Sequence, residues 1–436
     1  MQNSTKAFSV TAAVMLGIGS MVGAGIFIVI GQAGAVAGNL VWLSFLIGGI
    51  AALLSGYSLA KLAVAYPSRG GMVEYLVQCY GEGLFSGAFG ILFYLSQLVA
   101  IAAVAKSFGT YAGTFMHGEQ TWTDIYAIGI LLFFVIVNLI GSTIVARSEN
   151  LIVGIKLAIL LIFTVAAIMT VHPQNLVPAG TNALKGVFYA VGLTFFAYQG
   201  FSVITNTVEE MKNPAKSVQK AMYIAITLVA LLYISTSLAV LGNLPLERIV
   251  ATRDYALAEA ARPVFGELGF KIMAATALLA TASAINATLY AATEIGYTMA
   301  KEGNLPSVYS YNLFRSYEGL IVSAVLIIPM ILFLDLSQIT SVAALSVLLV
   351  QGIVHTGHLR RTAVTGASRP AIATAAITMF VIAGLGLMHG NNAVTTLMYL
   401  GGAVLFAFMT ELFLRLTTHR TIQPQIRFVE QNGGEK

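Results

Sequence analysis

Residues 17–27 read Gly17-Ile18-Gly19-Ser20-Met21-Val22-Gly23-Ala24-Gly25-Ile26-Phe27, four glycines within nine positions of an apolar run. Each glycine weakens a regular helix by about 1 kcal/mol relative to alanine. A helix over 10–31 is therefore expected to be weakest at its middle. Two readings fit these residues. Gly19 and Gly23 have the small-xxx-small spacing of a close helix–helix contact; alternatively, the chain unwinds there. A second stretch bears on the choice. Phe195-Phe196-Ala197-Tyr198-Gln199-Gly200-Phe201 again places a glycine and a polar side chain near the middle of an apolar run. Interruptions at matching places in two halves of a chain point to helices broken around a shared site, so the correspondence favours unwinding.

The surroundings of both stretches are apolar. Of 436 residues, 58% are hydrophobic and 9% charged, against about 25% charged in a soluble domain. So few charges cannot cover a water-facing surface. A soluble enzyme, a disordered chain and a nucleic-acid binder are excluded, and the solvent of this chain is a lipid bilayer. Twelve stretches are long and apolar enough to span it: 10–31, 39–62, 84–113, 125–145, 149–171, 184–207, 218–242, 270–298, 319–335, 338–357, 370–388 and 393–414. The expected fold is all-α and polytopic, one transmembrane domain over 1–416 with a polar tail over 417–436. The first span lacks the short apolar region and cleavage site of a signal peptide. With an even span count, sixteen of the 23 Lys and Arg fall on the side of the termini, five on the other, and Lys106 and Lys156 inside spans. Basic residues are retained in the cytoplasm, so both termini are expected there, in a cell membrane. Two connections, 244–268 and 301–315, are expected to form short amphipathic helices at the membrane surface; in the first, Ile249, Leu257, Ala260 and Ala261 recur at roughly helical spacing.

A helix broken at mid-membrane bares N–H groups at the start of one half and C=O groups at the end of the other. The first end suits a carboxylate and the second an ammonium. A zwitterionic amino acid offers both.

At this point the chain resembles a known family. GSMVGAGIF (19–27), FFAYQGF (195–201), EEMKNP (209–214) and YPSRGG (66–71) are similar to motifs of the amino acid–polyamine–organocation superfamily. VGIKLAILLIF (153–163) and ATASAINATLYAATEIGYTMAKEGNLP (280–306) resemble its proton-coupled, sodium-independent, broad-specificity amino acid transporters. The resemblance implies a five-plus-five inverted repeat of the LeuT kind. Repeat one would cover about 10–171 and repeat two about 184–357, with discontinuous helices 1 and 6; helices 11 and 12 (370–414) would be an addition. It implies that the amides of Ala24 and Gly25 hold the substrate carboxylate, and that the carbonyls of Met21, Phe196, Ala197 and Gln199 hold the ammonium. Gly23 and Gly200 complete the two motifs, and Phe196 would also cover the ligand. The chain departs from many relatives at Ala24, where they carry a hydroxyl, and at Ser202, where they carry an acid.

Lys156 lies nine residues beyond Arg147, near which span 5 enters from the cytoplasmic side, about 14 Å in at 1.5 Å per residue. Intramembrane ionisable residues mark ion or proton pathways by default; a permanently charged lysine pinning span 5 to span 1 is the structural alternative. Gly19 and Ser283 are expected at the same depth. Sodium-dependent relatives hold their ion between span 1 carbonyls and span 8 hydroxyls, and in the resembling subfamily a lysine takes that place. Low-dielectric surroundings disfavour a charged amine. A group charged in one access state and neutral in the other can couple proton flow to substrate.

Lys106 is expected to snorkel or to meet a partner on a neighbouring span, Glu294 to be structural, Glu411 and Arg415 to form an i,i+4 pair, and Tyr94 and Tyr290 to pack. His355 and His358 adjoin Arg360 and Arg361, without the spacing of a metal site. Cys79 is the single cysteine, which leaves no intrachain disulfide. No dinucleotide or P-loop motif is present, so no cofactor is expected. The reading is a proton-coupled transporter of small or neutral amino acids. An antiporter or polyamine carrier of the same fold, and a non-transporting sensor, stay compatible with the residues. A membrane enzyme lacks a cluster of catalytic side chains.

Overall fold

The computed structural model describes residues 9–23, 25–68, 70–116, 120–140, 143–178, 183–301, 305–313, 316–388 and 393–418. Apolar runs become helices almost throughout. They are α1 (Val10–Met21), α2 (Gly25–Ala37), α3 (Val41–Ala65), α4 (Met72–Tyr80), α5 (Leu84–Met116), α6 (Gln120–Ile140), α7 (Thr143–Met169), α8 (Ala183–Ala197), α9 (Pro214–Asn243), α10 (Leu246–Ala251), α11 (Ala256–Lys301), α12 (Gly319–Phe333), α13 (Leu336–His358), α14 (Thr362–Thr365), α15 (Arg369–Leu387) and α16 (Ala393–Thr418). Among the described residues ten helical stretches are long and apolar enough to cross a membrane, and Val10–Met21 and Gly319–Phe333 are shorter apolar helices. This is a multi-pass membrane protein.

Local signals set many of the ends. Ser9 caps α1 by accepting from the Ala12 amide at 3.1 Å. Pro214 opens α9, where its missing N–H is harmless. Asp335 and Gln338 form a reciprocal capping box on α13, at 2.8 and 3.1 Å. Gly266, at φ 67°, kinks α11; a side chain there would be strained.

In the interior, α5 and α13 are the most enclosed helices, while α6, α7 and α16 turn residues such as Ile136, Ile162 and Phe413 outward. Exposed apolar side chains of this kind suit lipid. Around the centre, α1 packs on α9, α2 on α8, and α3 on both α8 and α9. Buried polar stitches fix α3 against α8 and the residue just beyond it: Ser44 Oγ donates to Val187 O (2.8 Å), Thr194 Oγ1 to Ser44 O (2.8 Å) and Tyr198 Oη to Phe45 O (2.9 Å). Each satisfies a group that lipid could not.

Both expected surface helices need correction. Over 244–268 the chain forms α10 and the start of α11, and Ile249, Leu257, Ala260 and Ala261 are all buried. Their apolar face is covered by protein, with Ile249 against Gly34 of α2, rather than by lipid. Within 301–315 the described residues form no amphipathic helix. Lys301 ends α11, Ser307–Ser310 is one 3-10 turn, and Asn312–Leu313 pairs antiparallel with Ser316–Tyr317. Pro306 fixes its own φ and disfavours α geometry before it, and the Tyr- and Ser-rich run beyond it favours turns and strands.

Candidate functional site

The helix that begins at Val10 stops at Met21. The Val22 amide still reaches Ile18 O (2.8 Å), and regular helix resumes at Gly25. The helix of 183–197 stops as well. Beyond Ala197 the chain runs as a 3-10 helix from Gln199 to Glu210. Twelve residues is long for that geometry, and hydroxyls support it: Thr205 Oγ1 donates to Ser202 O (2.7 Å) and Thr207 Oγ1 to Ile204 O (2.8 Å).

The two interruptions touch. A Cβ on Gly25 would lie 2.6 Å from Ala197 O and 2.9 Å from its Cα, and one on Gly200 would run into the Met21 amide and lie 2.5 Å from Ser20 C. Glycine at both positions lets backbone meet backbone. The four glycines of 17–25 each serve a different neighbour: Gly17 meets Ile204, Gly19 Val153, Gly23 Ala284 and Gly25 Ala197. Close packing and interruption, the two readings of the motif, occur together. Met21, Gly23, Phe196 and Ala197 are buried, and Gly25, Gln199 and Gly200 partly so. Ala24 lies outside the described residues.

Tyr233, fully buried on α9, serves both interruptions. Its hydroxyl donates to Met21 O at 2.7 Å and stands 3.2 Å from Ala197 O. These are two of the carbonyls expected to hold an ammonium. Sequence reasoning missed this residue, because one tyrosine within an apolar span looks like packing.

Lys156, 1% exposed on α7, donates to Gly19 O at 2.9 Å. That carbonyl belongs to the last turn of α1, where helix carbonyls lose their intrahelical partner. Close approach of α7 is possible because Gly19 has no side chain; a Cβ there would lie 2.9 Å from Val153 Cγ2. The cation thus meets the C-terminal end of a broken helix, as the dipole favours.

Comparison with known proteins is consistent with this geometry. The family model described as "Amino acid permease" matches residues 8–400. The chain belongs to this amino acid permease family. Its relatives include the inner membrane transport protein YbaT of Escherichia coli (strain K12), 34% identical over 95% of this chain and 97% of the relative. The branched-chain amino acid permease BcaP of Bacillus subtilis (strain 168) is 26% identical over 68% of this chain and 67% of its own. The serine/threonine exchanger SteT of the same organism is 26% identical over 69% of each.

The other singled-out residues of this permease lie at varying distances from that centre. Ser283 is half-buried on α11, beside the Ala284 that meets Gly23. Lys106 sits apart. Its Nζ donates to Ile331 O (2.7 Å) and Leu334 O (2.6 Å) at the end of α12 and pairs with Asp124 at 3.2 Å. Arg415 pairs with Glu411 at 2.7 Å. Tyr94 donates or accepts at Ser323 (2.7 Å) and packs edge-on to Tyr309, whereas Tyr290 is exposed. Far along α2, Gln32 donates to Asp254 in the turn between α10 and α11, and Tyr111 Oη donates to Phe27 O (3.0 Å). Burial pushes the Asp254 carboxyl above its ordinary value, against the opposing pull of Arg253 and Gln32.

Proposed function

We propose that this permease carries small or neutral L-amino acids across the cell membrane together with protons, without sodium, by alternating access. In this reading twelve spans form a five-plus-five inverted repeat with two added helices, and both termini are cytoplasmic. The observation that carries it is the meeting of two interrupted helices beside a buried lysine. The first amides of the second half of span 1, at Ala24 and Gly25, receive the carboxylate. The carbonyls of Met21, Phe196, Ala197 and Gln199 receive the ammonium, and Phe196 covers the ligand. Tyr233 holds two of these carbonyls until the ammonium replaces its hydroxyl. Gly23 and Gly200 keep the backbones close enough for one small zwitterion to reach both.

Lys156 at Gly19 O, with Ser283 on the neighbouring helix, occupies the place a sodium ion needs. Losing the proton there weakens its hold on the end of α1, which ties proton release to movement of the broken helix. Radiolabelled uptake into proteoliposomes across the twenty amino acids, under an imposed pH gradient with and without sodium, tests the reading. Uptake is expected to follow the proton gradient; a strict sodium requirement would contradict it. The relative SteT is a serine/threonine exchanger, which supports a second reading, exchange. Counterflow faster than net proton-driven uptake would favour that.

A further inference from the structure

A chain of hydrogen bonds leaves the interruption of span 6 and runs between α13 and α3. Gln351 Nε2 donates to Gln199 Oε1 at 3.1 Å, Ser55 Oγ donates to Gln351 Oε1 at 2.7 Å, and His355 Nε2 lies 2.9 Å from Ser55 Oγ. Gln351, Ser55 and His355 are each fully buried. The order of donors fixes the direction of the chain. The Ser55 hydroxyl gives its one proton to Gln351, so toward His355 it can only accept. His355 therefore carries its proton on Nε2, and every member donates toward Gln199.

Both ends are open. Among the described residues His355 Nδ1 and Gln199 Nε2 are buried polar atoms without a partner. Buried donors are almost always paired in folded proteins, and an exception calls for an explanation. The neighbouring His358 shows the contrast: one turn away its two ring nitrogens meet Ser58 Oγ and Thr365 Oγ1, each at 2.8 Å. His358 braces α13 against α3, whereas His355 ends a line aimed at the interruption. Aligned hydrogen bonds polarise one another, which strengthens the last donor.

We propose that the Gln199 side-chain amide is a specificity donor for an oxygen on the substrate side chain, and that Gln351, Ser55 and His355 position it. This rests on the amino acid reading above. The amide lies at α13, whereas the substrate carboxylate is proposed on the first amides of α2, so the oxygen it meets belongs to the side chain. The substrates favoured are amino acids with a hydroxyl or amide side chain over apolar partners of the same shape.

The test compares uptake of threonine with valine, and asparagine with leucine, in proteoliposomes, as kcat/KM. Wild type is expected to favour the oxygen-bearing member by about tenfold or more, because a site built to hydrogen-bond rejects the isostere. In Gln199→Leu the ratio falls toward one. His355→Leu and Gln351→Leu lower the ratio through KM, whereas His355→Gln, which keeps an N–H near the place of Nε2, retains it. Loss of uptake for both members of a pair, at an unchanged ratio, would reduce His355 and Gln351 to packing residues and overturn the relay. Wild-type uptake without preference in either pair overturns the specificity donor alone; absence of any amino acid uptake or ligand-induced thermal stabilisation overturns the functional reading with it.

Discussion

Lys106 and Lys156 are both buried, 4% and 1% exposed, and both donate to helix carbonyls. Their settings differ. Lys106 takes carbonyls at an end of α12 that the chain leaves for the Asp335 cap of α13, and a carboxylate from α6 adds a counter-charge. Lys156 takes a carbonyl from a helix that stops inside the bundle, next to a second helix that stops. The first cation closes a finished end. The second holds one half of an interruption whose other half begins four residues beyond Met21, at Gly25. The same residue type at similar burial thus serves as a rivet in one place and, in the proposed mechanism, as a movable tie in the other.

The largest expected effect breaks the comparison open. Lys156→Ala should remove proton-driven uptake, by at least tenfold, while the purified protein stays folded and monodisperse, because intramembrane ionisable groups carry function. Uptake that remained proton-driven would place Lys156 with Lys106 among the rivets. Lys106→Met is expected to do the opposite. Removing one member of a buried pair costs about 3–5 kcal/mol, toward the lower end here because the Asp124 side chain is 18% exposed. Thermal unfolding should register that loss, with uptake per folded molecule retained; adding Asp124→Asn should recover part of the stability.

A third variant sharpens the contrast at the interruption itself. Tyr233→Phe leaves Met21 O without its donor, at a cost of about 1–3 kcal/mol. In the proposed mechanism an ammonium supplies the missing donor. Stabilisation by a saturating amino acid should therefore be larger in Tyr233→Phe than in wild type, measured by thermal shift. Equal stabilisation would mean that the substrate leaves Met21 O alone.

Much of this was legible in the sequence because lipid leaves few options. Long apolar runs with rare charges have to become helices, and two glycine-bearing interruptions at matching places announce themselves. Gly19 and Lys156 were expected at one depth from helix rise alone, and the structure joins them. Illegible were contacts that depend on which faces meet. Tyr233 sits in an apolar run, and nothing in its spacing reveals two carbonyls from different helices converging on its hydroxyl. Gln351 could have been noticed as a polar side chain deep in a span; its link to Ser55, 296 positions away, could not. The amphipathic spacing of 244–268 identified its buried face correctly, but spacing cannot say whether protein or lipid covers it.

The smallest expected effect reads the charge on Lys106 from a distance. Asp254 lies in a turn outside the spans. Burial raises its carboxyl, Arg253 and Gln32 lower it, Asp335 raises it, and Lys106 lowers it. In the window from the ordinary carboxylate value of about 3.9 up to the raised folded value, the native state holds more protons on this group than the unfolded chain does. Stability from this group is present below that window and is lost as pH rises through it. Asp254→Asn keeps an oxygen for Gln32 and should flatten that slope in pH-resolved thermal unfolding. Lys106→Met, by removing a lowering influence, should move the slope to higher pH, whereas Lys156→Ala should leave it where it is. A slope that followed Lys156 instead would mean that the two lysines belong to one electrostatic network and that their separation into rivet and tie is wrong.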